Sequence, residues 1–245
     1  MAIFAEYSQK RLYLEQKNYK SMRKATISAD IVRSTSFEVD DIEKFQKYMT
    51  EFFETVPTIS NIDFWGRLVK GDEIEIVCND IKKVSRLAFL LKCYVKSYAP
   101  IFEVKYVNPA EDKALQKKYG VRISVGVGEL RINDPITNII DGDAIYRSGR
   151  GLKEISSYKR NTFVYSSDKS EQDEYVNVVC ALIDVILNNA TSRQCEVLYY
   201  RILGLQENEI AVKLGISQPT VNKISNAISW NVVNDALSLL ENIIN

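Results

Sequence analysis

The sequence predicts an α+β fold: an antiparallel sheet with helices on one face, followed by an all-helical tail. Three observations predict it. Stretches of strict apolar–polar alternation are interleaved with stretches whose apolar residues recur every three or four positions, the two periods of strand and helix. Their order along the chain is strand, helix, strand, strand, helix, strand. Beyond a polar run at residues 166–174, SSDKSEQDE, only helical spacing is found.

The elements follow in order. Residues 1–24 carry six basic and two acidic side chains, with Tyr7, Tyr13 and Tyr19 six apart; they read as an amphipathic helix or an arm packing on a neighbour. In ATISADIVRSTSF, residues 25–37, Ile27, Ala29 and Ile31 alternate with Thr26, Ser28 and Asp30, as in a half-buried strand. DDIEKFQKYMTEFFETVP places Ile42, Phe45, Met49, Phe52 and Val56 on one helical face, with Asp40 or Asp41 as N-cap and Pro57 as the stop. IDFWGRLVK and DEIEIV form two strands joined by a tight turn at Lys70-Gly71. DIKKVSRLAFLLKCYVKSY repeats the helical spacing from Ile81 to Tyr98, and residues 107–118 form a loop with a short helix. VRISVGVGEL alternates through Val121, Ile123, Val125 and Val127; GDAIYRSGRGLKEIS is helical and NTFVYSS is one more short strand. This order is the ferredoxin-like plan. YVNVVCALIDVILNN is a strongly apolar helix, either a connecting or dimerising element or one buried under its own domain. The division expected is an arm (1–21), an α+β domain (22–166), a connecting helix (167–190) and a helical domain (191–245).

Composition excludes whole classes of chemistry. There is no histidine, hence no histidine base and no His-ligated metal. Cys78, Cys93, Cys180 and Cys195 are isolated in apolar contexts and read as buried thiols of a reducing compartment. The absence of a long apolar run predicts a cytoplasmic protein with no membrane association. Thirty-two basic residues balance thirty-two acidic ones, so no global field draws the chain to nucleic acid. Any chemistry falls to carboxylates, hydroxyls, lysines, arginines or a carboxylate-bound metal.

Two acids stand out. In a sheet of this topology the first strand lies antiparallel beside the third, so Asp30, near the end of the first, meets Asp72, which opens the third. Like charges so placed raise each other's pKa or require a cation, and acidic oxygens with backbone carbonyls suit Mg²⁺ accompanied by nucleotide phosphates. Arg33, Ser34 and Thr35 would face those phosphates. The competing reading of Asp72 is an ordinary turn acid after Lys70-Gly71.

ISADIVRST, KGDEIEI, VRISVGVGEL and GDAIYRSGR resemble, in order, the signature segments of class III nucleotidyl cyclases over residues 22–165. The whole chain is similar to SatD-family proteins, which join such a domain to a C-terminal helix-turn-helix. The resemblance implies Asp30 and Asp72 as ligands of Mg²⁺ or Mn²⁺, assisted by the Ile31 carbonyl. It also implies Arg150 as the arginine that stabilises the reacting phosphate across a dimer interface. The chain departs from the pattern at Tyr146 (asparagine in cyclases), at Leu68 and Ile139 (the base-selecting lysine and acid), and at Arg33, which replaces a glycine. The metal-phosphate half is kept and the purine-reading half is not. The base is then not a purine, or the nucleotide binds without turnover, or the ligand has been lost.

TSRQCEVLYYRILGLQENEIAVKLGISQPTVNKISNAISW, residues 191–230, carries a second signature. Ile210, Ala211 and Leu214 face inward on one helix, and Gly215 supplies a left-handed turn. Ser217 caps the next helix, with Pro219 in its first turn; Val221, Ile224 and Ile228 face the core. The pattern is similar to the helix-turn-helix of sigma factors and response regulators. Gln218, Thr220, Asn222, Lys223 and Asn226 point outward, side chains suited to base edges and phosphate. Residues 191–245 hold four basic and five acidic side chains, so a single copy binds DNA weakly; a protein-interaction module is the competing reading. Together these observations predict a homodimeric, nucleotide-responsive DNA-binding regulator with a degenerate cyclase-like domain. The alternative is an active cyclase of non-purine or relaxed specificity.

Overall fold

In the computed structural model, which describes residues 22–34, 39–69, 71–98, 109–157 and 162–244, the centre of the sheet is β1 (Met22–Ile31). It pairs antiparallel with β3 (Glu73–Cys78) on one side and β4 (Val121–Asp134) on the other. β2 (Phe64–Val69) lies outside β3. The outer edge of β4 is shared: its start pairs parallel with β6 (Phe163–Ser166), and its end antiparallel with β5 (Ile139–Gly142). The order β2-β3-β1-β4-β5 gives the mixed α+β architecture with an antiparallel core that the element order predicted. β5 was not anticipated, because four residues beside a register shift are too few to display a period. The basic arm of residues 1–21 lies outside the described residues.

Alternation along the central strands sorts the two faces of the sheet. Ala25, Ile27, Ala29 and Ile31 share one face with Val121, Ile123, Val125 and Val127, in one core with α1 (Val39–Ser60) and α2 (Val84–Ser97). The opposite face corrects the expectation of helices on one side only, for α4 (Asp143–Ser157) packs there. Ser148 Oγ lies 3.0 Å from Thr26 Oγ1 and 2.8 Å from Ser28 Oγ. Gly126 lets the helix in: a Cβ there would stand 2.2 Å from the Ala144 carbonyl oxygen. Small hydroxyls and glycines that read as the solvent side of a strand are thus the seat of a helix. The β4–β5 hairpin curls over the same side, where Trp65 Nε1 donates to Asn133 Oδ1 at 2.8 Å and Trp65, Ile140 and Ile145 pack on Val77, Leu130 and Ala144.

Of its predicted apolar face α1 carries Phe45, Met49, Phe52 and Val56 fully into the core, while Ile42 is half-buried. Pro57, expected to end it, lies inside its last turn. A proline so near the C-terminus forgoes one backbone bond, and the hydroxyls of Thr55, Thr58 and Ser60 bond backbone carbonyls of the same turns at 2.6–2.7 Å.

α2 is buried on all sides; of its fourteen residues only Arg86 and Ser97 are not buried. Around it stand the sheet, α3 (Pro109–Tyr119), α5 (Ser170–Asn189), α6 (Ser192–Ile202) and α9 (Trp230–Ile243). Tyr94 and Tyr48 of α1 stack at 3.9 Å and each donates its hydroxyl to the other's carbonyl at 2.9 Å. Phe89 stacks on Phe163 of β6 at 4.8 Å, and Tyr94 meets Tyr199 of α6 at 5.2 Å. Arg86 pairs with Glu241 of α9. Two lysines lie inside this packing. The Lys92 ammonium, wholly buried, is held by Asp184 of α5 and by Thr162 Oγ1 at 2.5 Å; Asp184 also accepts from the Thr162 amide at 3.2 Å and from Asn188 Nδ2 at 3.0 Å. Lys96 donates to the carbonyls of Lys118, at 2.7 Å, and Leu187. Burial lowers both ammonium pKa values, that of Lys96 to about 8. The four cysteines are free and buried, and no helix among the described residues is long and apolar enough to cross a membrane.

α7 (Glu207–Leu214) and α8 (Gln218–Ala227) complete the tail. Ile210, Ala211 and Val221 meet Val197 of α6 in a second, smaller core.

Removing one partner of a buried pair leaves the other charge uncompensated. Asp184→Ala should therefore cost about 3–5 kcal/mol in urea unfolding, and adding Lys92→Met should restore much of that loss. A loss under about 1 kcal/mol, the range of exposed pairs, would show that the pair does not anchor the packing.

Candidate functional site

Two groups of residues carry the functional expectations: the rim where β1 ends and β3 begins, and the outer face of α8. At the rim, strand register sets the neighbours. Asp30 lies directly across from Glu73 on β3 and from Arg122 on β4. Arg122 takes both oxygens of Asp30, Nε to Oδ1 at 2.8 Å and Nη2 to Oδ2 at 2.5 Å, a two-pronged charge-assisted contact. The side chains are 28% and 20% exposed. Burial pushes the Asp30 carboxyl above its usual pKa, Arg122 pulls it back, and the charges of Asp72 and Glu73 raise it further. Asp72, in the turn before β3, accepts a hydrogen bond from Ser34 Oγ.

Asp30, Asp72 and Ser34 are thus gathered at one rim. The Ile31 side chain, 1% exposed, is packed in the core. Arg33 is exposed and left-handed, with φ of 62°, a conformation that costs a residue with a Cβ roughly 1–2 kcal/mol. Thr35 lies outside the described residues. Arg150 is exposed on α4, and no hydrogen bond or ion pair joins it to Asp30 or Asp72 within the chain. Asp141, just ahead of α4, holds Arg131 at 2.7 Å and the Tyr146 hydroxyl at 2.5 Å.

The donor chemistry at the rim is that of a hard cation, but the arrangement does not fit one. Both Asp30 oxygens are committed to a guanidinium and one Asp72 oxygen to a hydroxyl. Among the described residues no group of three or more acids or thiols is gathered to hold a metal. Arg122, which decides this, was missed in the sequence. Its signal was a charge at the alternate position of VRISV, legible only once the pairing with Asp30 is known.

At α8, Gly215 is left-handed, with φ of 61°, and turns the chain so that Ser217 Oγ accepts the Thr220 amide at 3.4 Å. Val221 and Ser225 are buried, which turns Thr220, Asn222, Lys223 and Asn226 outward, all exposed; Gln218 is half-buried. A carboxylate that sequence reading passed over organises this face. Glu207, at the start of α7, receives Arg201, the Gln218 amide and, at 3.1 Å, Asn222 Nδ2. Asn226 Nδ2 in turn donates to Asn222 Oδ1 at 3.0 Å, and Thr220 Oγ1 stands 2.8 Å from Ser217 Oγ. Glu207 carried a legible signal only as a first-turn acid favoured by the helix dipole.

What the fold defines is a class: a mixed α+β protein with a curled antiparallel sheet and an all-helical tail. No protein-family model and no curated protein matches the chain. Among solved structures it is similar to the active GGEEF domain of a diguanylate cyclase from Vibrio cholerae, with 16% identity and a TM-score of 0.37, over 67% of this chain and 89% of that one. A likeness of that size bears on no residue of the rim.

Arg122→Gln removes the one group that holds the Asp30 pKa down and leaves burial, Asp72 and Glu73 to raise it. Carboxyl carbon NMR should show Asp30 titrating at a higher pH in the variant than in the wild type. An unchanged titration would mean that Arg122 does not neutralise it.

Proposed function

We propose that the protein is a DNA-binding transcriptional regulator whose C-terminal helices act as a helix-turn-helix. The observation that carries this reading is the polar outer face of α8, set after a three-residue turn from α7, with Thr220, Asn222, Lys223 and Asn226 all exposed. A helix so placed can enter the major groove, with asparagine and glutamine amides suited to adenine edges and lysine to guanine or phosphate. Glu207 refines the assignment. By accepting from Gln218 and Asn222, with Asn226 donating in turn to Asn222, it orders the amides of this face and sets their orientation toward DNA. The module's charge of minus one, from four basic and five acidic residues, makes binding by one copy weak and only mildly salt-dependent. The reading agrees with the resemblance of the chain's motifs to SatD-family proteins, and takes the protein to be cytoplasmic.

The effector in this reading is a nucleotide-type ligand at the rim of Asp30 and Asp72, bound without turnover. A bare phosphate meets more acid than base there: Asp30, Asp72 and Glu73 against Arg122 and Arg33. Nucleotides are therefore to be offered with and without Mg²⁺ or Mn²⁺. No observation favours the cyclase alternative, since the acid that would have to bind metal is already paired with Arg122.

Selection from random duplex DNA at low salt should enrich a sequence motif. Asn222→Ala should relax preference at one base position by about 1–3 kcal/mol, and Lys223→Ala should weaken binding across all sequences. Nucleoside triphosphates should shift the affinity of the wild type, and shift that of an Arg33→Ala variant less. A library that emerges unenriched, with and without nucleotides, would refute the regulator reading.

A further inference from the structure

α5 has one buried side and one bare side. Val176, Cys180, Ile183 and Leu187 enter the core, whereas Tyr175, Val178, Leu182 and Val185 are 69%, 61%, 64% and 58% exposed. With Glu171 before them and Asn189 after, the exposed residues follow one another at steps of four, three, four, three and four. That is the spacing of a seam between two helices. Scattered apolar residues on a surface need no explanation, but these four recur at heptad spacing along one side of a single helix.

We propose that this seam is the interface of a homodimer, two α5 helices packed antiparallel about a two-fold axis that passes between Val178 and Leu182. The stripe complements itself in that arrangement. Tyr175 meets the partner's Val185, large against small, and Val178 meets the partner's Leu182. Glu171 at one end meets the partner's Asn189, a carboxylate beside an amide that can donate to it. A parallel pair would instead set Glu171 and Glu174 against their own copies, and residues 170–189 contain no lysine or arginine to neutralise them. A two-fold contact of this kind is isologous and closes on itself. The proposal depends on neither DNA nor nucleotide. The small area implies a dimer that dissociates at micromolar concentration, at the weak end of specific interfaces.

Sedimentation of the full chain at roughly 100 µM, above the dissociation constant such an area supports, should give twice the 28.0 kDa of one chain. Leu182→Glu, a change at an exposed position, should weaken the dimer at least about tenfold while the melting temperature stays put. Orientation is read by cross-linking, since the native cysteines are buried. Tyr175→Cys and Val185→Cys proteins, mixed and oxidised with copper phenanthroline, should form a disulfide-linked dimer that neither forms alone. A monomeric wild type, which would leave the stripe to residues 1–21 or to a different protein, overturns the proposal. So does a dimer indifferent to Leu182→Glu, or a linked dimer from Tyr175→Cys alone.

Discussion

A single buried ion pair, Lys92 with Asp184, fixes how the sheet and the helical tail meet. An ammonium taken out of water is tolerated only when paired and hydrogen-bonded. Asp184, Thr162 and Asn188 surround this one, so α5 can sit against α2 in one register only. The apolar contacts around the pair supply most of the stabilisation, being numerous and undirected. The pair supplies position. Every tail helix that touches α2, through Tyr199, Glu241 or Asp184, inherits that position.

Both candidate surfaces are by-products of this frame. The rim exists because antiparallel pairing on both sides of β1 brings Glu73 and Arg122 level with Asp30. The α8 face exists because Val221 is drawn into the small core beneath α7. They differ in chemical state. At the rim, Asp30 and Arg122 already satisfy one another. On α8, polar groups still face water, with Glu207 ordering two of them from below. A ligand at the rim must compete with an internal arginine, whereas one at α8 competes with hydrogen bonds between surface groups, mostly uncharged.

How much of this was legible in the sequence depended on whether a side chain's polarity matched its surroundings. β1, β3 and β4 were readable because their apolar residues alternate, and the strand order with them; from that order the neighbourhood of Asp30 and Asp72 followed. The cap at Ser217, the turn at Gly215 and the inward Val221 were readable because turn chemistry is local. The hidden features are those where polarity and burial disagree. Thr26, Ser28 and Ser124 look like a wet face and lie under a helix. Lys92 and Lys96 look like the outer stripe of an amphipathic helix and are buried. Arg122 looks like a solvated strand residue and closes the site. Each depends on a partner distant in the chain, 92 positions away for both Lys92 with Asp184 and Asp30 with Arg122, which no local pattern encodes.

The total enclosure of α2 bears on how the protein is made. The ribosome releases α2 and the strands of the sheet before the helices that cover its other side, α5, α6 and α9. Through that interval α2 carries a bare flank of Leu90, Cys93, Tyr94 and two lysines awaiting their acceptors. Such exposed apolar surface is what chaperones bind and what aggregates when they do not. A chain cut before α5 would therefore keep that flank uncovered.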